Sequence, residues 1–420
     1  MNKKTYHAFP FLKKIYFVRT GGSKEELTAA NLIKEEIAKL GGEATLESFE
    51  VNHSTITKAI LKTKNPNMEI PCAGSGYSGY TDDNGVSGPL LDCSNKETGE
   101  LFDLKDKILF SPTKIPPHPL YEKAIKDGAK AFIVTTGSVY KKEKDVDLDP
   151  YLLRDLNYSL GKIPVVLIRA LDAERLLEKH PEVVNIVLQG IDDKATSHNV
   201  IADIKGVKHH EEVIALTAHY DSVSFSKGAY DNGTGVIALL QIYSYFKEHL
   251  PDRTLRFIFC GSEEMGLLGS KHYTNNHEEE IKQILFNINI DMVAATLGRD
   301  IACVSGEEKI VHYLEYLYKE LGFAISAYQG VYSSDSTPFA DKGVPAISFA
   351  RLSNESVGAV IHSHDDVIER LSEENFLKTI NFIIALLSRW ANAIKFPVER
   401  KIPDDIKEKI DNYYFRKKDK

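Results

Sequence analysis

VIALTAHYD at residues 213–221 and LRFIFCGSEE at residues 255–264 decide the architecture. Each is an apolar run of strand length, without polar alternation, that ends abruptly in ionisable residues. Such runs suit strands buried on both faces of a mainly parallel sheet. LFNINI (285–290) repeats the pattern and ends on Asp291, while VIADIKG (200–206) and PAISFA (345–350) read as further strands. Helical spacing falls between them, from about Gly233 to His249, near Gly269 to Asn275, and over VHYLEYLYKEL (311–321). FLKTINFIIALLSRWANAI (376–394) closes the series. The alternation from Asn199 onward predicts an α/β fold: a mixed, mainly parallel sheet with helices on both faces.

Outward from this block, residues Lys24 to Leu40 carry apolar side chains at Leu27, Leu32, Ile33, Ile37 and Leu40, with Gly41-Gly42 behind them. That spacing predicts a helix with a glycine stop, and ATLESFEV (44–51) a strand after it. The texture changes near Val51. Up to Gln189 there are short strands and Gly/Pro/Asp turns, with DKILFS (106–111), YEKAIKDGAKA (121–131), FIVTT (132–136) and KIPVVLI (162–168) forming one local α/β unit. The expected organisation is a catalytic domain over 1–50 and 190–398, an inserted domain over 51–189, and a charged, loosely held segment over 399–420.

Composition narrows the function classes. The 420 residues carry a formal net charge of −8 with Lys and Arg scattered, so the basic patch that nucleic acid requires is missing. Cys72, Cys93, Cys260 and Cys303 have no CxxC spacing and are too few for a disulfide framework. Lys13, Lys14 and Arg19 interrupt the apolar character of the N-terminus, and no apolar run reaches the roughly 18 residues that span a bilayer. The expectation is a soluble cytoplasmic protein with neither membrane nor nucleic-acid partners.

Ligating side chains collect where open α/β sheets place their functional groups, beyond the carboxyl ends of strands. VIALTA delivers His219 and Asp221, LRFIFC delivers Glu263-Glu264, and LFNINI delivers Asp291. Asp231 stands at the start of the helix after the first of these strands, and His362 follows VGAVI. Each alone has an ordinary reading, since Asp-Asn-Gly makes turns and a Glu pair makes a solvated face. Their joint placement on successive strand ends is what points to a metal centre. Two histidines with several carboxylates suit zinc, with cobalt or manganese as substitutes. Two nearby dications repel, so a carboxylate between them is needed, and Asp231 is best placed to bridge. Asp221, two residues from His219, can accept its second ring N–H. One of the paired glutamates can ligate while its neighbour acts as general base.

AHYDS (218–222), GAYDNGTGV (228–236), GSEEMGLLGS (261–270), NIDMV (289–293) and IHSHDD (361–366), in this order, resemble the co-catalytic dizinc exopeptidase family of bacterial and yeast aminopeptidases and glutamate carboxypeptidase relatives. The resemblance covers roughly Asn199 to Ala393 and the N-terminal helix with its RTGGS lead (19–23). It implies two zinc ions per chain, one held by His219, Asp291 and Asp231 and the other by Glu264, His362 and Asp231. It further implies Glu263 as the base, Asp221 as the residue orienting His219, and a cis peptide at Asp231-Asn232. The activity implied is removal of N-terminal residues from peptide substrates. The closing motif puts Asp366 at a fixed acidic position and His364 at a variable one. The middle region looks like a protease-associated domain, through DLKDKILF (103–110), YEKAIKDGAKAFIV (121–134) and KIPVVLI.

The chain departs from the pattern at Ile361, where some members carry a tyrosine that polarises the scissile carbonyl. Tyr332, in GVYSSDSTPF (330–339), is the candidate replacement, and SSDSTPFADKGVPAISFA (333–350) is expected to line the substrate pocket. The rival within the class is a carboxypeptidase or dipeptidase, for which Arg351 is the nearest candidate clamp for a substrate carboxylate. A noncatalytic binding protein is the rival outside it, against which the full set of ligands and base speaks, and a glutaminyl cyclase on the same fold, with one metal and a different ligand pattern, is separated by metal stoichiometry.

Overall fold

The computed structural model describes residues 6–94, 103–353 and 358–416. The chain divides into two compact units, Met1–Val51 with Thr196–Lys420, and Asn52–Ala195. The second unit closes at Ala195 rather than at the expected Gln189, because a single strand, Val183–Ile204, runs through the junction without a break.

The first unit begins with helix α1 (Lys24–Lys39), capped by the Ser23 hydroxyl, which accepts the Glu26 N–H at 3.0 Å. Its strands are the start of β1 (Ala44–Lys64) up to Val51, the end of β2 (Val183–Ile204) from Thr196, β3 (His209–His219), β4 (Arg253–Cys260), β5 (Ile284–Ile290), β6 (Arg299–Ser305), β7 (Ser326–Gln329) and β8 (Ala346–Leu352). β4, β3, β5 and β8 lie side by side and parallel, and the order continues through β6, antiparallel to β8, to β7. On the other side β2 pairs antiparallel with β4. This is the mixed, mainly parallel sheet that the apolar runs predict.

Alternate residues of these runs enter opposite cores. Ile214, Leu216, Ala218, Phe257 and Phe259 pack with α1, with α2 (Thr234–Glu248) and, further along the sheet, with helices Glu308–Leu321 and Glu373–Ala391. Val213, Ala215, Ile258 and Cys260 pack on the other face, with Tyr273 of α3 (Leu268–Asn276) and Phe339 of α4 (Ser336–Asp341). Burial on both faces is why the sequence shows no polar alternation.

Glu399–Arg416, the described part of the charged C-terminal segment, is not the loosely held stretch that its charge suggests. Asp404–Tyr413 is a helix, α5, and its Ile406 and Ile410 are buried with Ile402 against Ala340. Isoleucines four residues apart put one apolar stripe on an otherwise charged helix, and the stripe suffices to dock it.

The second unit has its own sheet, ordered Leu90–Asp92, Ile108–Phe110, Ala131–Thr136, Val165–Arg169, Ala73–Gly76, Tyr151–Leu152. Its first four strands run parallel, with Leu109, Phe132 and Leu167 on one face and Phe110, Ile133 and Ile168 on the other. No helix among the described residues is long and apolar enough to cross a membrane.

Candidate metal centre

His219 is the last residue of β3, and Asp291 directly follows β5, its parallel neighbour. Asp221, fully buried, accepts the backbone N–H of Glu263 at 3.0 Å and of Glu264 at 3.1 Å on its two oxygens. One of those oxygens also lies 3.3 Å from His219 Nδ1. A single carboxylate thus ties the turn after β4 to the end of β3 and fixes the imidazole, leaving Nε2 to face the centre. Ser262, which enters that turn at φ +52°, gives its N–H (2.8 Å) and its hydroxyl (3.1 Å) to Glu26 of α1.

The Asp231 loop is held as firmly. Asp366 accepts the N–H groups of Tyr230 at 2.6 Å and Asp231 at 3.1 Å. The Asn232 side chain donates to Ile290 O (3.0 Å) and accepts from Gly235 (2.8 Å) and Met292 (3.1 Å), joining the loop to the strand end that carries Asp291. The Asp231-Asn232 peptide is cis, as the resemblance implies. Gly228 sits at φ +55°, where a Cβ would fall 2.7 Å from both Arg19 Nη2 and Asp231 O, so only glycine fits.

Five side chains converge in two sets that share Asp231: His219, Asp231 and Asp291, and Asp231, Glu264 and His362. Asp231 Oδ1 lies 3.0 Å from His219 Nε2, and its Oδ2 lies 3.2 Å from His362 Nε2. Asp291 Oδ1 is 3.5 Å from His219 Nε2, and Glu264 Oε2 is 3.0 Å from His362 Nε2. Within each set the donor atoms lie within 4.8 Å of one another. Glu263 is in neither set; its Oε2 stands 4.0 Å from His219 Nε2. His364, half-exposed, turns to Asp365 at 3.6 Å and is also in neither.

Burial pushes the carboxyls of Glu263, Glu264 and Asp291 above the ordinary range, against the pull of the histidines. For Asp231 the balance is reversed: burial would raise it, but an imidazole on each oxygen holds it below the ordinary range. So many buried acids with two histidines are short of positive charge, and a cation is what such a cluster lacks. Glu264 Oε1 and Asp291 Oδ1 are buried without a hydrogen-bond partner among the described residues, and the donor set is the N/O kind that zinc takes. The residues fit a pair of zinc ions.

Three residues of the site escaped the sequence reading. Arg19, fully buried, donates to the carbonyls of Ile15, Phe17, Tyr220, Lys227 and Gly228, clamping the backbone on either side of His219-Asp221 and before Asp231. Burial lowers its pKa to about 10, against the opposing pull of Asp366, Asp221 and Asp231. Glu26, buried, is pushed up to about 8 by burial and by Asp221. It lies on the apolar stripe of α1 with Ala29, Ala30 and Ile33, and an acid on such a stripe is a signal the sequence does carry. Asp335, also buried, has its carboxyl raised to about 6 by burial, with His219 opposing. Tyr332 is partly buried, and burial followed by the charges of Asp291 and Asp231 raises its hydroxyl pKa. Arg351 is not available as a clamp: it donates to Ala295 O at 2.8 Å and pairs with Asp300.

Residues 199–387 match the model of Peptidase family M28. Aminopeptidase YwaD of Bacillus subtilis (strain 168) is 29% identical over 411 residues, spanning 94% of this chain and 86% of that protein. Among solved structures, BSAP, a zinc aminopeptidase from Bacillus subtilis, superposes with a TM-score of 0.75 at 25% identity, covering 96% of this chain and all (100%) of that one. An aminopeptidase from Aneurinibacillus sp. strain AM-1 shares the fold with a TM-score of 0.75 at 24% identity, over 93% of this chain and 95% of its own. The architecture is that of the zinc exopeptidases. The match to Peptidase family M28 spans a little under half of the chain.

Proposed function

We propose that the protein is a zinc aminopeptidase that uses two ions per chain and hydrolyses the N-terminal peptide bond of peptide substrates. The observation that carries this is the sharing of Asp231, one oxygen in each ligand set, with Glu263 left free beside them. His219 and Asp291 would hold one ion and Glu264 and His362 the other, with Asp231 contributing an oxygen to each set. Bound zinc supplies Lewis acidity and makes a water acidic near neutral pH.

The remaining chemistry belongs to the chain. Glu263 takes the proton from the attacking water and returns one to the leaving amine nitrogen. Asp221 keeps His219 in the tautomer that presents Nε2 to the centre. Tyr332 donates its hydroxyl to the scissile carbonyl oxygen, in the role for which Ile361 has no group. The engagement of Arg351 by Asp300 weighs against a carboxypeptidase, because it leaves the nearest candidate clamp already neutralised. The inserted unit, Asn52–Ala195, is a protease-associated domain.

A panel of free, N-acetylated and C-amidated dipeptides, with zinc content measured in parallel, tests the proposal. Free and C-amidated dipeptides are expected to be cleaved, with two zinc ions bound per chain. Faster cleavage of the N-acetylated members reverses the assignment.

A further inference from the structure

The stretch Val331–Asp341 is gripped from two sides. On its inner side the hydroxyls of Ser334 and Ser336 meet that of Ser348 on β8 at 2.8 and 2.7 Å, and each other at 2.9 Å. Ser348 pairs in register with Asn289 of β5, two residues before Asp291. On its outer side lies α5. Ile402, Ile406 and Ile410 bury themselves against Ala340, with Val331 and Tyr414 packed at the margin. Tyr413 and Ser333 share a hydrogen bond between their hydroxyls at 2.8 Å. Arg416 grips Asp341 with both guanidinium branches, at 2.6 and 2.7 Å. The approach to α5 is anchored as well, by Arg400 on Lys282 O at 3.0 Å.

These contacts are aimed at the two ends of the stretch. Ser333 is adjacent to Tyr332, and Asp341 is the last residue of α4, which starts directly after Asp335. A segment that merely shielded apolar surface would need the isoleucines alone. A hydroxyl pair and a two-pronged ion pair add direction, fixing where the stretch sits rather than only covering it.

We infer that the C-terminal segment Glu399–Arg416 is a strap that positions the substrate-facing stretch Val331–Asp341 against the metal centre, with Tyr413 and Arg416 as positioning residues. This rests on the proposed peptidase reading and extends it, because it makes turnover depend on residues that touch neither substrate nor metal ligands. Misplacing a group by about an ångström can cost on the order of 10²-fold in rate, so loosening the strap lowers kcat while substrate binding at the centre persists.

The test compares the full-length zinc-loaded protein with Tyr413→Phe, Arg416→Ala, their combination, Ile406→Asp and Tyr332→Phe on a free dipeptide. The readouts are kcat, KM, zinc content and Tm. In the Tyr413/Arg416 double variant kcat is expected to fall roughly ten-fold or more with KM within about two-fold and zinc unchanged. A purely structural role would lower Tm and leave kcat at 25 °C intact, and that result overturns the strap. Ile406→Asp, where it folds, is expected to exceed the double variant in effect, and the surface pair decides the question if it does not fold. Loss of turnover in Tyr332→Phe together with wild-type kcat in every strap variant sinks the strap and leaves the tyrosine's role standing. Wild-type kcat in Tyr332→Phe with lowered kcat in the strap variants removes the tyrosine's role and keeps the strap. If both lower kcat, adding the strap changes to Tyr332→Phe is expected to cost little more than Tyr332→Phe alone.

Discussion

The two ligand sets are built from different material. His219 and Asp291 stand at the ends of neighbouring parallel strands, and the His219 side chain is 2% exposed. Glu264 and His362 stand on turns, and the His362 side chain is 35% exposed, with its backbone at φ +55°. The sheet itself places the inner set. The outer set needs extra fastenings: Asp221 receives the N–H of Glu264, and Asp366, four residues beyond His362, receives those of Tyr230 and Asp231. His219 and Asp291 take their positions from strand register, whereas Glu264 and the shared Asp231 take theirs from buried acids accepting backbone N–H groups. The outer set is therefore the one that a single substitution can empty selectively.

His362→Ala is the most severe way to probe that difference. It is expected to abolish turnover and halve the zinc content while the inner set stays filled, whereas His364→Ala, outside both sets, leaves zinc unchanged. Elemental analysis and kinetics on both variants decide it; loss of both ions from His362→Ala erases the distinction between sets, and the reverse pattern shifts the final ligand by two residues. Next in size is Glu263→Gln, which removes a proton acceptor and no ligand. Turnover is expected to drop by about 10² to 10⁴ with both ions retained, and a rate within a few-fold of wild type would rule Glu263 out as the base. The smallest effect is one of order. During dialysis against a weak chelator the more exposed outer ion is expected to leave first, so that zinc passes through a plateau near about one per chain. Simultaneous loss, followed by the metal content of withdrawn samples, would make the two sets equivalent.

The sequence exposed the inner set more fully than what fastens it. VIALTA and LFNINI are uninterrupted, so the chemistry at their ends stood out against apolar backgrounds, and the alternation of strands and helices followed from the same runs. Arg19 left no such mark: one arginine among basic neighbours reads as solvated, and its value lies in carbonyls some 200 residues away in sequence. Asp335 is hidden similarly, inside a serine-rich stretch whose neighbours Ser334 and Ser336 meet Ser348 of β8. The terminal helix is faint in the sequence for a quantitative reason. Ile402, Ile406 and Ile410 already spell one helical stripe, but three apolar side chains among many charged ones do not announce a docking partner, and the partner, α4, is distant in the chain.

Arg19 also carries a consequence for how the molecule comes into being. Synthesis delivers its guanidinium early, yet the carbonyls of Tyr220, Lys227 and Gly228 follow 201 to 209 positions later. The whole of Asn52–Ala195, with cores of its own, emerges in between. The nascent chain therefore carries a finished guest inside an unfinished host. Until the residues up to Gly228 leave the ribosome, Arg19 has only the nearby carbonyls of Ile15 and Phe17 to donate to, and the backbone around His219 and Asp231 lacks its clamp.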